Sequence, residues 1–512
     1  MGLLGLKLLM SMQRVQKRLQ EAPPNRSIAS QKAKRKRSPC HQHDESQGSK
    51  RMEYSGPELP EDIWGHIHSL LPMRDAARVA CVSSAFLRFW NCHPNLIFDN
   101  NALGLNENAR PKGAAAKHIA SKALGLEFSE RVDRILEKHS GTGVKTFKLA
   151  FYDHVVDACR LNNWLQTAGK LRVEELSFSA GSDYRQDPYN FPCSVLVDEY
   201  GNSMIRHLFL GSCAFRPTTG LANLTALDLC SVHITGDELG SLVSNSSSLE
   251  RLALRHCSEI TYLTIPHQLQ HLSCLKVFEC RKLRMLRSKA PNLSNFHFTG
   301  AQIQLSFGDR VPVKNMRMWF FQCNTVYYAR AKLPSIVPNV ETLNIYSISE
   351  VVSTPILPIK FLHLKNLTIS LEEGDGPFSP AYDYLSMVSF LDACPVLEAF
   401  ELTVSQTRMK HDSVIGDSSH LRQMPEYCHH NIKNVKIIGF CSAKSMVELA
   451  CHILENATSL ESLTLDTIYN DDYFDRHVPK IGECIPKHRR HMIKEARKAL
   501  LAIERCRKII TE

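Results

Sequence analysis

The sequence predicts an α/β protein in which a small helical unit precedes a long solenoid of strand-bearing repeats. Three observations predict it. An apolar-x-apolar pattern recurs thirteen times between Phe147 and Leu465. A segment of about forty residues before it carries short apolar stripes at helical spacing, punctuated by prolines. Positive charge is concentrated at the two ends of the chain, and the body between them is mildly acidic.

Length and composition set the frame. At 512 residues the chain exceeds one compact core, and with 43% apolar and 22% charged residues most of it is expected to fold. Residues 1–51 hold 12 Lys and Arg against 3 acids, and residues 476–512 hold 11 against 4. The body, 52–475, holds 39 against 45. A nucleic-acid binder is expected to carry its positive charge on a folded face, so no nucleic-acid partner is expected. Nothing approaches about 18 uninterrupted apolar residues, so no membrane span is expected either. The 17 cysteines form no CxxC pair and no zinc-ligand spacing. No metal or other cofactor is therefore expected, and the cysteines read as small buried hydrophobes. Their odd number, with no secretory signal, points to a reducing compartment.

The elements follow in chain order. Residues 1–52 read as a disordered basic tail. Its start, Met1-Gly2, lacks the Ser or Thr that N-myristoylation needs, because position 6 is Leu. Its sharpest feature is the cluster Lys32, Lys34, Arg35, Lys36 and Arg37, a cationic run of the kind nuclear localisation signals use. Nucleus, cytoplasm or both are the expected locations.

Residues 53–99 form the helical unit. Pro60 suits a first helical position, and Glu61 and Asp62 favour the positive helix start. Ile63, Ile67, Leu70 and Leu71 make one stripe, and Pro72 ends it. A second helix is expected from about Asp75, and a third, carrying Phe86, Phe89 and Trp90, after a cap at Ser83-Ser84. Three short helices lie near the lower size limit for independent stability, and such a unit tends to complete its core against a partner. Residues 100–139 are a linker whose positions 114–138 read as helix.

Residues 140–424 are the degenerate repeats. Their strands centre on Phe147-Lys148-Leu149 and ten later copies, and two more in the terminal repeats carry the series to Leu463-Thr464-Leu465, at intervals of 19 to 35 residues. This is the leucine-rich-repeat pattern. In a strand, alternate side chains face opposite ways. The flanking apolar residues therefore enter the core, and the central residue faces outward on a concave parallel sheet, with helices and loops expected on the convex side. Cys213, Cys257 and Cys280 each lie five residues after a strand leucine, where the repeat consensus places Asn or Cys. The outward residues include Phe209, Asp228, His297, Arg317 and Asn344, the candidates for binding a protein target. Their mixed charge suits a protein surface better than a polyanion. Residues 425–475 are the terminal repeats, and 476–512 a basic helix, apolar on one side, that caps the solenoid.

Residues 59–90 resemble the F-box, matching its pattern at Leu59, Pro60, Asp62, Ile63, Ile67, Leu71, Pro72, Asp75, Ala76, Val82 and Ser83. They depart from the plant version after Val82-Ser83, where Ser84-Ala85-Phe86 stands in place of a basic residue, any residue and Trp. The segment from His430 to Phe440, the helix after it, and Leu460 to Leu465 resemble the FBD-type ending of plant F-box/LRR-repeat proteins. The resemblance implies that Leu59, Pro60, Ile63, Ile67, Leu70, Leu71, Pro72, Val79 and Val82 lie in or directly behind a contact with the Skp adaptor of a cullin–RING ubiquitin ligase. It implies a non-catalytic substrate receptor. The alternative is a scaffold or inhibitor that binds Skp or a target without promoting ubiquitylation. Phosphate-binding loops, HExxH and GxSxG are absent. The one Cys/His cluster, Cys428-His429-His430, reads as structural, because adjacent side chains diverge.

Overall fold

The computed structural model describes residues 60–466, except for 106–113, 152–155, 182–187, 309–311, 322–323, 349, 351, 373–381, 406–410, 413–420, 423 and 426. The tail with its cationic cluster, Leu59 and the basic C-terminal helix lie outside the described residues.

The main sheet is parallel and has 14 strands, in chain order apart from short strands that belong to other sheets. All thirteen copies of the repeat pattern are in it. A fourteenth strand, Asn95–Phe98, pairs with Thr146–Phe151 and starts the sheet. Its Leu96-Ile97-Phe98 fits the pattern, but with three consecutive apolar residues it carries no alternation to betray it.

The register explains why the pattern folds this way. Phe147 stands opposite Leu176, Leu208 opposite Leu227, Leu275 opposite Phe296, and Phe400 opposite Val435. Each apolar pair thus stacks on the pair of the next coil. From Leu96 to Ile437 these residues are at most 2% exposed. Burying one such leucine is worth about 2 kcal/mol, so the stacked pairs are the main source of stability. At the last described strand, Ser462–Asp466, Leu463 and Leu465 are only half-buried.

The turns repeat as well. Ser212, Ser231, His256 and Glu279 adopt left-handed backbone with φ near 50° (50, 54, 53 and 51). Each lies four residues after the first apolar position of its strand. The conformation costs a non-glycine residue about 1–2 kcal/mol. It also aims each N–H at the next coil: Ser231 donates to the Arg255 carbonyl at 2.7 Å and His256 to that of Phe278 at 2.9 Å. The next residue is Cys213, Val232, Cys257 or Cys280, all buried. The thiols of Cys257 and Cys280 donate to the carbonyls of Leu229 and Phe278, both at 3.7 Å. This is the role expected of an Asn or Cys at that place.

The side opposite the main sheet departs from expectation. Helices cover it at Ala158–Lys170, Gly236–Ser244, Thr325–Ile336 and Lys444–Asn456. Between Tyr262 and Phe307, however, it is a second parallel sheet of 3 short strands. The repeats there are only 20 to 23 residues apart, too short to hold a helix, so a second strand is the compact solution.

Two buried charges organise the longer repeats. Glu350 accepts from the Val326 and Tyr327 N–H groups, both at 3.1 Å, and so caps the helix Thr325–Ile336 from the following coil. Arg330, 2% exposed, donates to the carbonyls of Ser389, Ile359 and Leu357 at 3.0, 2.9 and 2.6 Å.

Gly439 ends the strand Asn434–Ile438 with φ +76°, and a Cβ there would lie 1.9 Å from the Val404 carbonyl oxygen. Gly439→Ala is therefore expected to lose about 3 kcal/mol or more, read as an earlier thermal transition by circular dichroism. Gly240, inside the helix Gly236–Ser244, has open space around its Cβ position. Gly240→Ala is expected to gain about 0.5–1 kcal/mol in the same assay. Equal effects of the two changes would contradict the packing described.

Candidate functional site

Two surfaces carry the sequence candidates. The first is the helical unit. Its helices are Glu61–Ser69, Met73–Ala80 and Ser84–Asn91. Pro60 and Pro72 immediately precede the first two, and the second helix thus begins two residues earlier than Asp75. Ser83 caps the third, its hydroxyl accepting from the Ala85 N–H at 3.2 Å.

The inner side of this unit holds Met73, Ala76, Ala80 and a ring cluster whose edge, Trp64, is 37% exposed. Trp64 meets Phe86 at 5.8 Å between centroids, Phe86 meets Phe89 at 6.1 Å, and His68 lies 6.2 Å from Phe86 and 5.7 Å from His93. Phe86, standing near where plant F-boxes carry Trp, is part of that cluster. The outer side is apolar too: Val82 is 82% exposed, Leu70 70%, Leu87 48% and Ile63 41%. Pro60 and Pro72 are also exposed, while Ile67, Leu71 and Val79 are half-buried. Large apolar side chains left exposed on so small a unit mark an interaction surface.

Histidines lock the unit to the sheet. His93 is fully buried. Its Nδ1 lies 3.1 Å from the Asn95 carbonyl and 3.2 Å from the Asn95 amide nitrogen, and its Nε2 lies 3.2 Å from the Leu71 carbonyl. His68 Nε2 reaches the Ala76 carbonyl at 3.1 Å, and His139 Nε2 reaches that of His93 at 3.0 Å. Burial lowers all three from the ordinary 6.5, with the carbonyl contacts pulling the other way. The linker helix, Ala114–Lys138, adds Asp133, which accepts from the Trp164 indole N–H at 2.6 Å.

The second surface is the open face of the main sheet. The central strand residues form one column in register: Phe209 beside Asp228, His297 beside Arg317, and Arg317 beside Asn344. Asp228 is half-buried and pairs with Arg255 at 3.1 Å. Burial pushes its carboxyl up while Arg255 and Lys276 oppose that. Reversing its charge would set three cations together on the sheet face.

The sequence reading stopped at the central column and missed its neighbour. Two residues further along, Trp319 stands directly beside Tyr346. Their rings meet edge to face at 4.6 Å, and Phe321 joins Trp319 at 5.2 Å. The Trp319 indole N–H is buried without a hydrogen-bond partner, and exposed Arg317 and half-buried Asn344 flank the group. Trp, Tyr and Arg together make the composition in which binding energy concentrates. The signal was Trp319-Phe320-Phe321 itself, more aromatic than the core requires.

The comparisons agree with this architecture. Residues 135–509 match the family described as At1g61320/AtMIF1, LRR domain. F-box/LRR-repeat protein At5g02910 of Arabidopsis thaliana is 25% identical over 308 residues, 56% of this chain and 58% of that protein. FBD-associated F-box protein At1g61320 of the same plant is 22% identical over 380 residues, covering 69% and 78%. FBD-associated F-box protein At1g66310 is 20% identical over 444 residues, covering 80% and 89%. The chain thus spans under two thirds of the first of these relatives and more of the other two.

The histidine junction predicts a pH dependence. Each histidine is held neutral in the fold, whereas the unfolded chain protonates near 6.5. Their stabilising contribution is therefore complete above that value and lost as the pH falls towards the lower folded values. Hydrogen exchange across residues 61–98 is expected to speed up on going from about pH 7.5 to about pH 5.5, after correction for intrinsic rates. His93→Gln should already exchange faster at the higher pH and respond less to the change. A junction equally protected at both pH values would exclude this role.

Proposed function

The chain belongs to the At1g61320/AtMIF1 LRR-domain family, and from that premise we propose that it is the substrate-recognition subunit of an SCF-type ubiquitin ligase. The helical unit docks on the Skp adaptor and, through it, on the cullin–RING ligase. The sheet face holds the protein to be ubiquitylated. The observation that carries this reading is the exposure of the large apolar side chains Ile63, Leu70, Val82 and Leu87 on a unit tied into the solenoid through His93. The names of the relatives, F-box/LRR-repeat and FBD-associated F-box proteins, support it.

In this reading the chain does no bond-making. It supplies proximity: two partners held on one frame react as if at high local concentration. Skp binding is hydrophobic burial of the outer face. Closing about 100 Å² of apolar surface on each of a few such side chains is worth several kcal/mol in all. Target binding uses Trp319, Tyr346, Arg317 and Asn344, an aromatic centre with polar and cationic edges. The cationic run from Lys32 to Arg37 directs part of the population to the nucleus.

The two surfaces make separable predictions. Leu70→Asp with Val82→Asp places two charges in the docking face without touching the inner ring cluster. Capture of the Skp subunit from a plant lysate is expected to fall at least tenfold, with the circular dichroism spectrum unchanged. Undiminished Skp capture by the folded variant would sink the assignment.

Trp319→Ala with Arg317→Glu should leave Skp capture intact. With the proteasome inhibited, quantitative mass spectrometry should then show the loss of specific proteins that the wild-type chain retains. The wild type should also raise ubiquitin conjugates on those proteins in a reconstituted ligase. Binding without conjugation would instead favour the scaffold or inhibitor reading.

A further inference from the structure

Three coils near the end of the described chain bring together side chains that the sequence holds far apart. Asp392 lies on the helix Val388–Ala393, His429 just before the strand Asn434–Ile438, and His452 inside the helix Lys444–Asn456. One ligand atom from each lies within 4.8 Å of the other two. His429 and His452 are buried, and Asp392 is partly open to solvent.

The distances between these atoms are informative. His429 Nε2 is 3.5 Å from His452 Nε2 and 3.6 Å from Asp392 Oδ1. Both are too long for a good hydrogen bond. They match the edges of a tetrahedron: ligands about 2.0–2.2 Å from a central ion stand roughly 3.3–3.6 Å apart. Asp392 Oδ1 is moreover a buried oxygen without a hydrogen-bond partner.

We propose that Asp392, His429 and His452 form a binding site for one divalent transition-metal ion of the zinc class. Imidazole nitrogen with one carboxylate oxygen is a donor set that zinc accepts, and three protein ligands leave a fourth position for water. The backbone N–H of His429 donates to the Asn456 carbonyl at 2.8 Å, which holds the segment carrying His429 against the end of the helix Lys444–Asn456. A bound ion would fasten the segment before Asn434–Ile438 to the helices of the coils on either side. The sequence hides the site because its ligands are 37 and 23 residues apart, a separation set by coil stacking.

The site is independent of the Skp reading, and so is its test. The full chain, purified without an affinity tag and stripped by a chelator, is titrated with Co²⁺ and then with Zn²⁺ against a chromophoric competitor. The expected result is one tight equivalent, a visible absorption band of four-coordinate Co²⁺ that Zn²⁺ abolishes, and a rise in melting temperature with Zn²⁺. Asp392→Asn and His452→Gln should each weaken binding by at least about a hundredfold and remove the thermal shift. Asp392 is partly exposed, so its variant tests the site even if His452→Gln folds poorly. Absence of the Co²⁺ band, or equal metal binding by wild type and Asp392→Asn, would overturn the proposal. Equal binding would assign the metal to other histidines and cysteines of the chain.

Discussion

Everything in this structure depends on stacking in register. One coil presents two apolar side chains, such as Leu252 and Leu254, that it cannot bury alone. The coil before and the coil after bury them, in a parallel register that repeats from Asn95 to Asp466. A slip of one residue would turn every such pair out to solvent. The left-handed turns at Ser212, Ser231, His256 and Glu279 guard against it, since each ties its N–H to the neighbouring coil. The repeats can therefore vary in length, from 19 to 35 residues, provided the strand and turn keep phase.

The same principle explains how a marginal helical unit is held. Its inner core is small, a few aliphatic residues and a cluster of rings. It is completed by Asn95–Phe98, which belongs to the main sheet, and by His93, which bridges Leu71 to Asn95. Imidazole suits this position because each of its ring nitrogens reaches backbone polar groups in a space where a charge would be costly. The unit can leave Leu70 and Val82 exposed because its stability comes from the sheet behind it.

Most of this was legible in the sequence, for a physical reason. Alternation of apolar and outward residues is a local signal that survives irregular spacing, so thirteen strands, the helix at 114–138 and the cap at Ser83 could all be read directly. What escaped depends on the neighbouring coil. Leu96-Ile97-Phe98 lacks alternation. The second sheet at Tyr262–Phe307 follows from coil length. The ion pair of Asp228 with Arg255 forms only because register sets the next strand beside it. The buried Glu350 and Arg330 find their partners 23 to 59 residues away.

Chemistry in a solenoid is therefore a property of columns and of meetings between coils. Trp319 and Tyr346 become a patch because register sets them side by side, although 27 residues of chain separate them. Asp392, His429 and His452 meet on the other side of the coil for the same reason. Cys428-His429-His430 drew attention as a run, yet adjacent side chains cannot converge. Its one consequential member is His429, whose partners come from the coils above and below. A repeat that tolerates substitution at its outward positions can thus acquire a binding patch or an ion site without disturbing the stacked pairs that hold it together.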